Sequence, residues 1–341
     1  MATNSSIGSK VAVGAAWMMG TRWVIRIAGL VSTLVLARLL TPEDFGLVAL
    51  AASVIAVLDV ASDFGFHYAL IHFQDAGRQE YDTAWTLNIC RGIAIALVMT
   101  AVSPLAAVVF RDERIVPLMI VLGIAFAIGS AKNIGTVEFM KRLNFSKEFY
   151  IQSLPKLLAV TVAIIVAWIY RSYWALVIGT VTNRTTALAM SFYMSDYRPR
   201  WQLGAWRKLF SFSGWLMATQ VLQAVILRME RFILGIMMTP SVVGLYHIGD
   251  EVSSMVTSEL AVPIRSALFP GLAAESSDIE AVKQLWFRSV DVLTAVGLPI
   301  GIGLGLVASE FVPVVLGDQW NLAIPVVQVL APVLGGLVII G

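Results

Sequence analysis

Nine of the 24 lysines and arginines stand inside long apolar runs: Arg22, Arg26, Arg91, Lys132, Lys156, Arg184, Arg228, Arg231 and Arg265. A cation at the middle of a membrane-spanning helix costs about 2.5 to 3.5 kcal/mol, so it belongs against a cavity or a counter-charge rather than against lipid. The chemistry such residues offer is anion binding. Guanidinium forks pair with a diphosphate or a carboxylate, and a low-dielectric surrounding strengthens the attraction. Arg22 and Arg26, four apart, share one face of the first run, which contains no acid. Their neutraliser is then a ligand or an acid of the second run. Arg228 and Arg231 flank Glu230 in the seventh run, where a local ion pair and a ligand role both account for them. Lys132, Lys156 and Arg265 lie near the ends of their runs, where snorkelling to the headgroups is favoured over function.

The acids form the complementary set. Asp59, Asp63 and His67 follow one another at four-residue spacing, which puts them on one face of a continuous helix. Asp250 and Glu251 occupy the eighth run, with Glu259 two turns further on. Such intramembrane carboxylates serve either as structural neutralisers of buried cations or as a proton- or cation-coupling site, with Asp59, Asp63, Glu230 and Asp250 as the candidates. His67 and His72, five apart, lack a third ligand on their face, so no metal is expected. No phosphate loop, cysteine pair or serine nucleophile motif is present, so neither catalytic residues nor a cofactor is expected.

These residues must be positioned by membrane helices. Of the 341 residues, 58% are hydrophobic and 13% charged, and the mean hydropathy is +0.81. That composition excludes a soluble domain and predicts an all-α polytopic membrane protein. The net charge of +2 gives no reason to expect nucleic acid as a partner. Ten apolar segments are expected: Val11 to Arg38, Phe45 to Ile71, Ala84 to Phe110, Ile115 to Phe139, Ile151 to Tyr170, Tyr173 to Met194, Leu209 to Met238, Val242 to Leu272, Val282 to Val315 and Leu322 to Gly341. The first is read as a retained helix, without a signal peptide. Connectors on the amino-terminal side carry eleven basic residues against four on the other, so the positive-inside rule predicts a cytoplasmic amino terminus. The organisation expected is a tail (1–10), a six-helix lobe (11–194), a basic linker (195–208, with Arg198, Arg200, Arg207 and Lys208) and a second lobe (209–341).

An internal duplication orders the two lobes. Leu39 to Leu47 reads Leu-Leu-Thr-Pro-Glu-Asp-Phe-Gly-Leu, and Met237 to Leu245 repeats it as Met-Met-Thr-Pro-Ser-Val-Val-Gly-Leu at an offset of 198 residues. Six segments separate the copies, so both point the same way and predict two parallel-repeat bundles around a central cavity. The second copy has four segments, about two short of symmetry, so an incomplete second bundle is expected.

The stretch Ala37-Arg38-Leu39-Leu40-Thr41-Pro42-Glu43-Asp44-Phe45-Gly46-Leu47, followed by Asp63-Phe64-Gly65-Phe66, Ala69-Leu70-Ile71 and Asn88-Ile89-Cys90-Arg91-Gly92, resembles bacterial Wzx-like polysaccharide flippases. These form the polysaccharide-transport branch of the multidrug/oligosaccharidyl-lipid/polysaccharide exporter superfamily, and the chain is most similar to the colanic-acid-exporter type. The resemblance implies a multi-pass protein of the bacterial inner membrane that flips undecaprenyl-diphosphate-linked oligosaccharide by alternating access, for lipopolysaccharide or exopolysaccharide synthesis. It implies a lipid-linked oligosaccharide and membrane lipids as partners, with polysaccharide polymerase and glycosyltransferases as further candidates. It also implies a cationic cavity, for which Arg22, Arg26, Arg91, Arg184, Arg228 and Arg231 are the candidate residues. Two rivals stand beside it. An organic-cation exporter of the same superfamily would favour acids over arginines in its cavity. A membrane-embedded polymerase or ligase would need a large outward loop, and every outward connector here is short.

Overall fold

Thr41 and Asp44 show how local chemistry sets the first helix boundary. The Asp44 carboxylate accepts from the Thr41 backbone N–H (2.9 Å) and hydroxyl (2.7 Å), while the Asp44 N–H donates back to Thr41 Oγ1 (3.3 Å). This reciprocal cap, with Pro42 at the first helical position, starts a helix where the Thr-Pro pair predicts one. The computed structural model describes residues 2–73, 76–142, 144–210, 232–254 and 279–337. Among them are helices α1 (Ala2–Leu39), α2 (Pro42–Ala61), α3 (Phe66–His72), α4 (Arg78–Phe110), α5 (Ile115–Ser130), α6 (Val137–Lys141), α7 (Phe145–Tyr170), α8 (Trp174–Met194), α9 (Ile279–Leu306), α10 (Ala308–Leu316) and α11 (Ile324–Leu337). Residues 206–210, 232–237 and 240–254 are helical as well, and no strand occurs among the described residues. The chain is an all-α, multi-pass membrane protein. α2, α4, α7 and the Trp286–Leu306 part of α9 are each long and apolar enough to cross a bilayer.

The described chain divides into two units, Met1–Leu40 with Leu47–Pro240, and Thr41–Gly46 with Ser241–Gly341. In the first, α4 packs on α5, α7 on α8, and α1 on α7. Trp17 of α1 meets Phe149 of α7 edge to face at 5.2 Å. In the second, α9 and α11 pack together, and the fully buried Trp320 meets Phe45 at 5.4 Å.

Three segments expected to run straight through the membrane are broken, two of them beside one cavity. The segment Phe45 to Ile71 stops at Ala61, so Asp59, Asp63 and His67 do not lie on one continuous helix face. Gly65 adopts a left-handed conformation (φ 61°), and its N–H donates to Asp63 Oδ1 at 2.9 Å. The Asp63 side chain thus offers the backbone an alternative to the helix, and glycine accepts the geometry without strain. The segment Ile115 to Phe139 breaks in the same way. The Gly135 N–H donates to Asn133 Oδ1 at 2.9 Å, and α5 and the helical turn after it meet at 57°. Asn133 stitches this break to its surroundings, donating its backbone N–H to Ser191 Oγ (3.0 Å) and its amide to the Tyr197 carbonyl (2.7 Å). The segment Val282 to Val315 is likewise interrupted at Val307, between α9 and α10.

The duplicated turn repeats at the level of single hydrogen bonds. Leu40 N–H donates to Leu36 O (2.9 Å), and Met238 N–H donates to Leu234 O (2.8 Å), at the same offset of 198 residues. Pro42 and Pro240 each open the following helix. Within the second unit, a Cβ on Gly244 would fall 1.8 Å from the Pro42 carbonyl oxygen, so only glycine fits there.

Candidate functional site

Both helix breaks open onto one cavity of about 710 Å3 inside the first unit. Its wall is charged. Asp59 comes from the end of α2, Asp63 from the first break, His67 from α3, Arg91 from α4, Lys132 from the second break, Glu148 and Lys156 from α7, and Arg184 from α8. α1 contributes Ile25.

Arg91 is already matched. Its guanidinium pairs with the Asp59 carboxylate, donates to the Asp59 carbonyl (2.7 Å) and to Ser62 Oγ (3.0 Å), and lies 3.9 Å from Asp63. The last carbonyls of a helix lack intrahelical partners and attract cations. Arg91 therefore closes the end of α2 and neutralises two acids at once.

Lys132, Lys156 and Arg184 are not matched. None has an acid within 4.0 Å among the described residues. Arg184 rests over the Phe126 ring (5.8 Å), the same ring that faces Arg91 (5.7 Å). Room for Arg184 comes from Gly129, where a Cβ would sit 2.7 Å from Arg184 Cδ. The same three cations, with Asn183, also line a second cavity of about 290 Å3 whose remaining wall mixes the hydroxyls of Ser32 and Thr180 with apolar residues such as Leu36, Val160 and Leu176. Glu148, which accepts from Gln152 Nε2 at 2.6 Å, lines the 710 Å3 cavity with Asp59 and Asp63.

Of the residues singled out by sequence, the structure brings Asp59, Asp63, Arg91 and Arg184 to one cavity. Arg22 and Arg26 do not line it, although their neighbour Ile25 does. Asp250 stands in the second unit. Arg228, Glu230 and Arg231 lie outside the described residues, as do Glu259 and Arg265. Lys132 and Lys156, for which the sequence favours snorkelling over function, line the cavity. Glu148, Gln152 and Lys156 recur every four residues along α7, a polar stripe on one helix face that marks a cavity wall. Among the described residues no group of His, Cys, Asp and Glu is arranged to hold a metal ion.

Comparison with known proteins gives a consistent set of relatives. Residues 35–325 match the family described as polysaccharide biosynthesis protein. The chain is 27% identical over 332 residues to the lipopolysaccharide biosynthesis protein WzxC of Escherichia coli K12, covering 96% of this chain and 68% of that protein. It is 24% identical over 332 residues to the teichuronic acid biosynthesis protein TuaB of Bacillus subtilis 168, with the same coverage. It is 23% identical over 300 residues to the succinoglycan biosynthesis transport protein ExoT of Rhizobium meliloti 1021, covering 87% of this chain and 60% of that protein. The chain thus spans roughly two thirds of the length of these relatives.

Proposed function

Because the chain belongs to the polysaccharide biosynthesis protein family, we propose that it acts in a flippase that carries undecaprenyl-diphosphate-linked oligosaccharide across the bacterial inner membrane by alternating access. The observation that carries this reading is the trio Lys132, Lys156 and Arg184, three cations without an acid partner among the described residues, on one cavity wall. Three unpaired cations inside a membrane bundle are costly, and a diphosphate, with several acceptor oxygens and two or more charges, offsets that cost through charge-assisted hydrogen bonds. The reaction is a movement, with no bond made or broken, so the protein is a carrier and not an enzyme.

The acids have a separate part. Asp59 and Asp63 are held by Arg91, and protonation of either would loosen that pairing and the end of α2 with it, which makes them the candidates for coupling to a proton; Glu230 and Asp250 complete the set. Arg22 and Arg26 are assigned to a part of the substrate path outside this cavity, and Arg228 and Arg231 to the same path as basic residues of the seventh apolar run. The excess of basic residues in one set of connectors supports a cytoplasmic amino terminus. Polymerase and glycosyltransferases are the expected neighbours on either side of the transport step.

The test is transport itself. Full-length protein reconstituted in liposomes with a fluorescent polyprenyl-diphosphate oligosaccharide should deliver it to the opposite leaflet. Each charge-assisted contact is worth roughly 1.5 to 3 kcal/mol, so removing Arg184 alone should slow delivery at least about tenfold, and Lys132→Ala, Lys156→Ala, Arg184→Ala together should abolish it. Wild-type delivery by the triple variant at matched protein level would overturn the reading, and export of organic cations instead would move the assignment to the drug-exporter branch.

A further inference from the structure

The basic segment 195–208 is not a loose tether but a strap laid along the start of α4. Tyr197 donates its hydroxyl to Asp82 Oδ1 (2.7 Å), and the backbone N–H of Arg200 donates to the same oxygen (2.8 Å). Further along, the N–H of Gln202 donates to Thr86 Oγ1 (3.1 Å) and that of Ala205 to Thr83 Oγ1 (3.2 Å). Asp82, Thr83 and Thr86 are buried beneath it. The backbone polar groups face inward, and what faces outward is unusual. Trp201, Leu203 and Trp206 are 65%, 51% and 47% exposed, interleaved with exposed Arg198, Arg200 and Arg207.

Each aromatic is braced in that outward position. Trp201 packs against Trp85 at 5.3 Å, and the Arg207 guanidinium lies over the Trp206 ring at 5.4 Å. Lys208 is committed to Glu80 at 2.7 Å, and Arg198 donates to carbonyls of its own strap. Arg200 and Arg207 have no acid within 4.0 Å among the described residues, and Asp196 is the one acid of 195–208. Trp85 stands two turns into α4, just where its apolar run begins, so the strap lies at the depth where a bilayer changes from headgroup to hydrocarbon.

We infer that residues 198–207 form a binding site for anionic phospholipid in the leaflet at the amino-terminal end of α4. Arg200 and Arg207 take the headgroup phosphate, while Trp201, Leu203 and Trp206 sit among the glycerol and upper acyl chains. Tryptophan suits that depth, and basic residues beside it are drawn to anionic lipid. The site is separate from the cavity cations and does not depend on what the cavity carries.

The experiment uses the full chain in nanodiscs of equimolar phosphatidylcholine and phosphatidylglycerol, with bromine on the acyl chains of one lipid or the other. Subtracting the fluorescence of the Trp201→Phe, Trp206→Phe variant isolates the two indoles. Their emission should be quenched more by brominated phosphatidylglycerol than by brominated phosphatidylcholine. Arg200→Gln with Arg207→Gln should remove that preference, weakening phosphatidylglycerol retention roughly thirtyfold, whereas Arg200→Lys with Arg207→Lys should keep most of it. Equal quenching by both lipids in the wild type, or a preference that survives the glutamine pair, overturns the site. The arginines are exposed, so an unchanged melting temperature confirms that the variants are folded.

Discussion

Arg91 and Arg184 face the same phenyl ring and differ in what stands on their other side. Arg91 has two carboxylates, a carbonyl and a hydroxyl; Arg184 has an open cavity. The same substitution should therefore act differently at the two sites. Arg91→Gln strips charge-assisted bonds from the end of α2 and should lower stability by about 2 kcal/mol, read as a drop in melting temperature in detergent. Asp59→Asn should do the same, and the double variant should cost less than the sum of the two, because both act on one interaction. Arg184→Gln removes a cation with no acid within 4.0 Å among the described residues, so the melting temperature should hold or rise while transport falls. Composition and spacing made the cations visible, but not which were matched. That depends on Ser62 and Asp63 folding back beneath Arg91, a long-range fact. The stripe Glu148, Gln152, Lys156 was legible at four-residue spacing, and an end-of-run position hid its meaning.

Two of the three broken segments line the cavity, and both are broken by the same device, an Asp or Asn side chain accepting from a glycine N–H two residues on. Hydropathy averaged over a span cannot register this, because Asp63-Phe64-Gly65 and Asn133-Ile134-Gly135 hardly alter the mean. The cue lay in the short pattern instead. Helix starts were easier to read, since Thr41-Pro42 caps by purely local chemistry. The strap belongs to this scale too. Burial, and then its bond to Asp82, holds the Tyr197 hydroxyl above its ordinary value of 10.0. The folded chain keeps a proton that the unfolded chain releases, so this contribution is complete below pH 10 and is lost as the pH rises beyond it. Tyr197→Phe should lower stability by about 1 to 2 kcal/mol at neutral pH, since buried Asp82 loses a donor. Above pH 10 the wild type should lose melting temperature faster than the variant, and the two curves should converge.

At the scale of the whole chain, the repeated turn was legible in the sequence because Thr-Pro and the glycine four residues after the proline recur at the same offset, although five of the nine positions differ. What the sequence did not carry is that the first copy of the turn, Thr41–Gly46, is built into the second unit. Gly244 approaches the Pro42 carbonyl so closely that Gly244→Ala must move backbone on one side or the other. It should cost about 3 kcal/mol or more, measured as loss of the monodisperse fraction and of melting temperature. Alanine at Gly29, where nothing lies within 4 Å of the added Cβ, should be neutral or mildly stabilising.

Phe45 and Trp320 meet in that same unit, although 275 residues separate them along the chain. The order of synthesis follows from this. When the ribosome has delivered the first helices to the membrane, the turn at Thr41–Gly46 is already made and has nothing to pack against. It must keep its shape through its own cap until the segment that carries Trp320 arrives. The Thr41 to Asp44 bonds are therefore a placeholder during biogenesis.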